Sequence, residues 1–187
     1  MSMEGIKKIG KGEDFFEKGF ETVHAAVFFV DETNRRIGML KRAAGLDFAP
    51  NLFTGVGGKI EKGEGHRAGI IREIQEEIKG DIPEVENITE IGRVIVNGKG
   101  IVSYFVLPYS GNVLPVADAT VGAVQWVPFE QILNLDLIPT ARHFFEEWHK
   151  RGFTRIDSFT IQLQREKFED VHSSVISLEI KDGLLTD

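Results

Sequence analysis

Cysteine is absent from the 187 residues, which excludes a disulfide scaffold, a thiolate zinc site, a cysteine nucleophile and thiol redox chemistry together. Long apolar runs are missing as well. The longest, Ala25 to Val30, is far below the roughly 20 residues that cross a bilayer, and the opening Met1-Ser-Met-Glu-Gly-Ile-Lys-Lys lacks the apolar core of a signal peptide. The expectation is a cytoplasmic protein with no membrane partner. Basic residues are not in excess either. With 29 acidic and 22 basic side chains, a net charge of −7 and a pI near 5.3, the chain lacks the cationic surplus that binding a nucleic-acid polymer requires. A small phosphate-bearing substrate is not disfavoured by this balance. The surplus of acid is local: residues 1 to 57 hold eight acids and eight bases, residues 58 to 80 hold five of each, and the remaining sixteen against nine follow residue 80.

What is present is ordinary globular composition, 42% hydrophobic and 27% charged, in a length that suits one domain with appendages. Val23 to Val30 is β-branched and aromatic on nearly both faces and reads as a buried strand, with Asp31-Glu-Thr-Asn34 as a turn and Ile37 to Leu40 as its hairpin partner. Arg42 to Phe53 is a long loop suited to folding over a ligand. A glycine-rich passage, Gly55-Val-Gly-Gly58, precedes a helix from about Arg67 to Ile78, whose Ile70, Ile71, Ile74 and Ile78 form one apolar stripe. Gly80 stands where a left-handed helix cap is expected. Residues 88 to 96 and 101 to 107 read as strands joined at Asn97-Gly98. Val121 to Val127 reads as another strand, Phe129 to Leu133 as a short helix, and Thr140 to Lys150 as a helix preceded by Pro139. Two alternating runs, Ile156 to Leu163 and Ser174 to Ile180, end the chain and suit an added hairpin, an edge extension or a homodimer element.

The chemistry concentrates in the glycine-rich loop and the helix after it. Glu73, Glu76 and Glu77 stand at i, i+3 and i+4, so their carboxylates leave one side of the helix, away from the isoleucine stripe. Like charges this close repel, and hard oxygen ligands of this kind select Mg²⁺ or Mn²⁺. Glu64 can reach back across the first turn, and Arg72 is placed to pair with a carboxylate and fix its rotamer. The bare backbone at Gly58 can offer a carbonyl to a metal, and Gly69, one turn before Glu73, leaves space for a ligand. Such a site suits water attack on a phosphoryl group.

At the level of spacing, the chain resembles the Nudix hydrolase signature: Gly, five residues, Glu, seven residues, Arg-Glu, an apolar residue, any residue, Glu-Glu, any residue, Gly, an apolar residue. Gly58, Glu64, Arg72, Glu73, Ile74, Glu76 and Glu77 match in register, and Lys79-Gly80 departs at the end, which one extra helical residue before a Gly cap would explain. The resemblance implies an α/β fold, a Nudix-type α/β/α sandwich with a mixed central sheet over residues 22–151, with an N-terminal extension at 1–21 and a strand-rich C-terminal extension of the same domain at 152–187. It also implies that Glu73, Glu76 and Glu77 ligate the metal, assisted by the Gly58 carbonyl and Glu64, with Arg72 in the catalytic group. Glu73 is the first candidate for the general base, ahead of Glu61 and Glu130.

The implied reaction is Mg²⁺-dependent cleavage of a nucleoside diphosphate derivative. The run Phe53 to Glu61 looks like the loop of MutT-type enzymes, which favours a (d)NTP or an oxidised purine (d)NTP; an ADP-ribose or nucleotide-sugar pyrophosphatase and a non-catalytic nucleotide sensor are the alternatives. Ile95, and Val96-Asn97-Gly98, stand where the proline of ADP-ribose pyrophosphatases and the tyrosine of dinucleoside polyphosphate hydrolases would be. The isomerases that share the fold need a cysteine, which is lacking. Phe28, Phe48, Phe53, Lys59 and Trp126 are the candidate substrate contacts. His24 reads as a core residue on a strand that could border the substrate cleft, Tyr104 as core packing with stacking on a base as the alternative, and His143 and His149 are too far apart on their helix for a zinc pair. Gly5 to Gly12 mimics a phosphate loop without its Ser or Thr.

Overall fold

The structure, a computed structural model, describes residues 11–80, 84–111, 116–155, 157–168, 170 and 172–186; the first ten residues of the N-terminal extension, with most of the Gly5 to Gly12 segment, and Ile156 lie outside them. Ten strands and two α-helices are present among these residues: β1 (Thr22–Asp31), β2 (Arg36–Arg42), β3 (Phe53–Thr54), α1 (His66–Glu77), β4 (Ile78–Lys79), β5 (Thr89–Val96), β6 (Gly100–Pro108), β7 (Val116–Ala117), β8 (Gly122–Pro128), α2 (Pro139–Lys150), β9 (Phe159–Arg165) and β10 (Val175–Asp182). The main sheet runs β10-β9-β5-β6-β1-β2-β3, and β8 pairs with β2. It is mixed: β1 with β6 and β5 with β9 are parallel, the other pairs antiparallel.

β1 explains the architecture. Every residue from Ala25 to Asp31 is buried, because both faces of the strand are covered. Val23, Ala25, Val27 and Phe29 pack with Ile70, Ile71 and Ile74 of α1. Ala26, Phe28 and Val30 pack on the other face with Ala141, Phe144, Phe145 and Trp148 of α2. Alternation of side chains along a strand thus yields two apolar cores and an α/β/α sandwich. Phe28 illustrates the cost of access. It is fully buried and stacks on Tyr104 and Phe144, so it is a core residue and not the substrate contact expected from the sequence.

Two local expectations need correction. Helix α1 is not longer at its end: it stops at Glu77, and Ile78–Lys79 extend to pair with Val116–Ala117. Gly80 consequently has φ 138° in an extended segment rather than capping the helix. The short helix read at Phe129 to Leu133 is present as a 3-10 helix, Phe129–Asn134. The final two runs form an antiparallel hairpin that widens the sheet, β9 adding in parallel to β5.

Helix α1 has no side-chain N-cap. Its first amides are instead taken by the preceding segment: His66 donates to the Glu13 carbonyl at 2.9 Å and Ala68 to the Lys11 carbonyl at 3.1 Å. A buried ionic network holds that segment down. Arg93 donates to Glu90 at 2.6 Å and to Glu13 at 2.5 Å, His66 Nε2 lies 2.9 Å from the other Glu90 oxygen, and Phe15 lies under the Arg93 guanidinium. Burial alone would raise the Glu90 carboxyl, but hydrogen bonds from His66 and Arg93 outweigh it and hold the pKa at about 2. The stabilisation is therefore complete above the ordinary carboxylate value of 4.5 and is lost as pH falls from there toward 2. Glu90→Gln is expected to lower stability at pH 7 by roughly 3 kcal/mol and to flatten the loss between pH 5 and 3; denaturant unfolding across that range measures both, and an unchanged acid limb would refute the assignment.

Candidate active site

The loop between β3 and α1 is threaded between sheet and helix. Val56 pairs with Val27 in both directions, at 2.8 and 3.0 Å, and the Gly58 carbonyl accepts the Ala25 amide at 3.0 Å. A Cβ on Gly57 would collide with the Ala25 carbonyl and come within 2.7 Å of Ile70 Cδ1. Gly57 also has φ 138°, so only glycine suits it. A Cβ on Gly58 would lie 2.7 Å from Glu73 Oε2. The acidic helix face therefore rests directly on this backbone. Gly57 donates its amide to Glu77 Oε2 at 3.1 Å.

Arg72 organises the remaining carboxylates. Its guanidinium donates to Glu64 at 3.0 and 3.1 Å, to Glu73 at 2.7 Å, to Glu76 at 3.1 Å and to the Lys59 carbonyl at 3.3 Å. These contacts, Glu64 first, push its pKa above the ordinary arginine value. Glu64 also accepts the Glu61 amide at 3.2 Å. Glu77 is different in kind. Burial, the largest cause, and the negative charge of Glu73 and Glu76 push its carboxyl up to about 7, against the opposing Gly57 hydrogen bond.

Beside this face lies a cleft of about 490 Å³, in the range of ligand pockets. Gly57, Gly58 and Lys59 form one wall, and Arg42, Phe48 and His24 stand near them. Burial, helped by the Lys59 charge, lowers the pKa of His24. Farther along, Tyr104, Thr140, Arg165 and Phe168 complete the lining.

A sequence profile for the NUDIX domain matches residues 21–148. This chain belongs to the Nudix family. No curated protein matches it in sequence. Among solved structures, a MutT protein from Bacillus halodurans superposes with a TM-score of 0.58 at 16% identity, over 85% of this chain and 97% of that one. The MutT protein of Methanosarcina mazei superposes at 0.53 and 22% identity, over 71% and 96%. The dihydroneopterin triphosphate pyrophosphohydrolase of E. coli does so at 0.53 and 21%, over 69% and 95%. These structures share the fold. As a Nudix protein the chain is a pyrophosphohydrolase of small nucleotide substrates, in a family that uses divalent metal ions.

The donor chemistry of the Nudix face fits such an ion. Among the described residues no three His, Asp or Glu side chains are gathered as a finished ligand set, since Arg72 engages Glu73 and Glu76 while Glu77 is held by Gly57. Yet Glu77 is pressed toward neutrality by burial and by its two acidic neighbours, a penalty a cation removes. The Gly58 carbonyl spends one lone pair on Ala25 and has a second to give. Gly69 leaves no ligand space: a Cβ there would meet Ile60 Cδ1 at 2.5 Å and Glu64 Oε2 at 2.9 Å.

Of the expected substrate contacts, Phe48 and Lys59 line the cleft. Phe53 packs beside the α2-side core with Lys41 over its ring. Trp126 is not in the cleft either; its ring lies between Arg36 and Tyr109, near the turn end of β2. Glu130 pairs with Arg35 at that same end, which removes it as a base. Among the cleft residues that the sequence did not single out for binding are Arg42, Thr140, Arg165 and Phe168. Arg165 had a readable signal, because it follows the inward-facing Phe159, Ile161 and Leu163 at the same spacing.

Gly57→Ala is expected to destabilise the protein by roughly 2 kcal/mol or more, from positive φ and backbone collision. Gly58→Ala is expected to keep the fold while displacing Glu73, raising the divalent-ion concentration for half-maximal activity about tenfold or more. Thermal unfolding and metal titration separate the two, and an unshifted metal titration for Gly58→Ala would show that Glu73 does not act on the ion.

Proposed function

We propose that this protein is a Mg²⁺-dependent nucleoside triphosphate pyrophosphohydrolase, converting a (d)NTP or an oxidised purine (d)NTP to the monophosphate and pyrophosphate. One observation carries the reading: Gly57-Gly58 is at once a wall of the cleft and the backbone on which Glu73 and Glu77 rest. A nucleotide seated in the cleft presents its phosphates to the carboxylate face. A solved neighbour named for a triphosphate substrate supports the same choice.

Glu73, Glu76 and Glu77, with the Gly58 carbonyl and Glu64 assisting, would hold Mg²⁺, which would supply acidity to water and neutralise charge on the pyrophosphate oxygens. The chain's own residues do the rest. Arg42 and Lys59 at the cleft wall attract and orient the phosphates. Arg72 fixes Glu73 and Glu64 in place. Glu73 takes the proton as the water oxygen bonds to phosphorus and the bridging P–O bond breaks, releasing pyrophosphate. Gly57 keeps Glu77 aimed at the loop.

Glu77→Gln removes a charged donor without opening a core cavity, so turnover is expected to fall by about a hundredfold or more with the melting temperature retained. A panel of the four NTPs, 8-oxo-dGTP, ADP-ribose and NADH, scored for products with Mg²⁺ and with EDTA, reads the substrate class. Full turnover by Glu77→Gln at saturating Mg²⁺ refutes the metal assignment. Turnover confined to ADP-ribose refutes the triphosphate reading, and no product from any member leaves the sensor as the function.

A further inference from the structure

At the far end of the cleft lies a buried guanidinium with two nitrogens lacking a hydrogen-bond partner. Arg165 is 4% exposed, yet its Nε and Nη2 have no hydrogen-bond partner, and it lines the cleft. Among the described residues no carboxylate lies within 4 Å of its guanidinium, and the ion pairs they make are elsewhere. The groups that feel its charge are Tyr104, Asp170 and His143. Burial pulls its pKa below the ordinary arginine value. A guanidinium removed from water without a partner costs stability, so its retention calls for a ligand that completes it.

The surrounding structure holds this residue in place. Along β9 the alternation that buries Phe159, Ile161 and Leu163 on the α2 side delivers Arg165 to the same face. Its backbone is clamped by the Asn97 side chain, which accepts the Arg165 amide at 2.8 Å and donates to the Arg165 carbonyl at 3.0 Å. On its other edge Arg165 pairs with Val175 of β10. Three residues later Phe168 packs so closely on Gly100 that a Cβ there would lie 2.9 Å from its ring. None of these residues except Asn97 and Gly100 belongs to the segment that matches the NUDIX domain. The far end of the cleft is therefore closed by this chain's own C-terminal hairpin, with apolar Val96, Ile101, Val102 and the Tyr104 ring opposite.

Resting on the reading that a nucleotide's phosphates face Glu73 and Glu77, we propose that Arg165 recognises the base, selecting a 6-oxopurine by donating to its adjacent O6 and N7 acceptors. The planar fork of a guanidinium matches that acceptor pair bidentately. An apolar and aromatic wall suits a flat heterocycle better than a second phosphate. A 6-aminopurine keeps N7 but turns the N6 donor toward the guanidinium, and 8-oxoguanine keeps O6 but replaces the N7 acceptor with N–H, so each can accept only one of the two hydrogen bonds. The expected order is therefore guanine and hypoxanthine nucleotides ahead of both 8-oxoguanine and adenine.

The test uses binding of monophosphates to the full chain, which needs no turnover. GMP and IMP are expected to bind about ten- to a hundredfold more tightly than AMP, and Arg165→Met to bring the three within a few-fold of each other. Arg165→Lys, keeping the charge but not the fork, is expected to restore little of the preference. The melting temperature of Arg165→Met without nucleotide is expected to equal or exceed that of the wild type, because an unpaired buried charge is gone. A lower melting temperature in both Arg165→Met and Arg165→Gln would make the residue structural and overturn the proposal. So would a wild type that does not prefer GMP to AMP, or a preference that survives Arg165→Met. Inorganic phosphate bound through Arg165 with no preference among bases would make this an anion site and overturn it too. The two readings fail separately: selective GMP binding without NTP turnover removes the pyrophosphohydrolase, and indiscriminate NTP turnover removes the base selection.

Discussion

Everything in the active region depends on the passage of Gly57 and Gly58 through a gap that admits only backbone. On one side are the Ala25 carbonyl and the chain of β1, on the other Ile70 and the Glu73 carboxylate of α1. Because β1 is buried on both faces, this loop cannot shift without opening a core. Because α1 is fixed by Ile70, Ile71 and Ile74, the carboxylates cannot retreat from it. The same tight contact places the cleft wall and the acidic face a peptide unit apart. Packing far from the chemistry thereby sets the chemistry's geometry, which is the condition for preorganised catalysis.

Charge is managed around that contact in two ways. Arg72 contacts three of the carboxylates through a single guanidinium, which offsets one of their charges and reduces the repulsion across the acidic face. Among the described residues the Glu77 carboxylate is hydrogen-bonded by a backbone amide, and it is left partly uncompensated. At the start of the same helix the second network, Glu13, His66, Glu90 and Arg93, substitutes for a missing N-cap. Residues 11 to 13 are thus structural partners of α1, although they contain no motif. The helix bearing the reactive face is anchored at one end by a buried ionic cluster and over its length by isoleucine packing.

How much of this was legible in the sequence varies with the physics that decides each part. Strand β1, the isoleucine stripe and the Asn97-Gly98 hairpin are short-range patterns, and the sequence reads them within a residue or two. The acidic face is legible because helical geometry alone brings Glu73, Glu76 and Glu77 to one side. The end of α1 is not, because Ile78–Lys79 are drawn into pairing with Val116–Ala117, nearly forty residues away. Phe28 and Trp126 were misplaced for one reason: an aromatic on a strand is assigned to cleft or core only by what covers its face. Phe28 meets the aromatic face of α2, and Trp126 meets Tyr109 and Arg36. Conversely Phe168 and Arg165 lie far along the chain from the motif and reach the cleft only because β9 joins β5 in parallel.

The net charge of −7 bears on substrate choice only once it is placed on the fold. The cleft presents Arg42, Lys59 and Arg165, while acidic side chains such as Glu32, Glu130 and Asp182 are engaged at the surface with arginines elsewhere. Electrostatic attraction of a small ligand is governed by the charges within about 10 Å of it, since ions screen the rest at physiological salt. An acidic protein can therefore hold a polyanionic nucleotide at a locally cationic cleft and still exclude a nucleic-acid polymer, whose binding needs a basic surface many phosphates long. The two cations on the glycine loop side and the single one at the far end are separated by apolar and aromatic wall. That spacing of charge matches a molecule with a polyanion at one end, a flat ring at the other, and hydrogen-bond acceptors on the ring's edge.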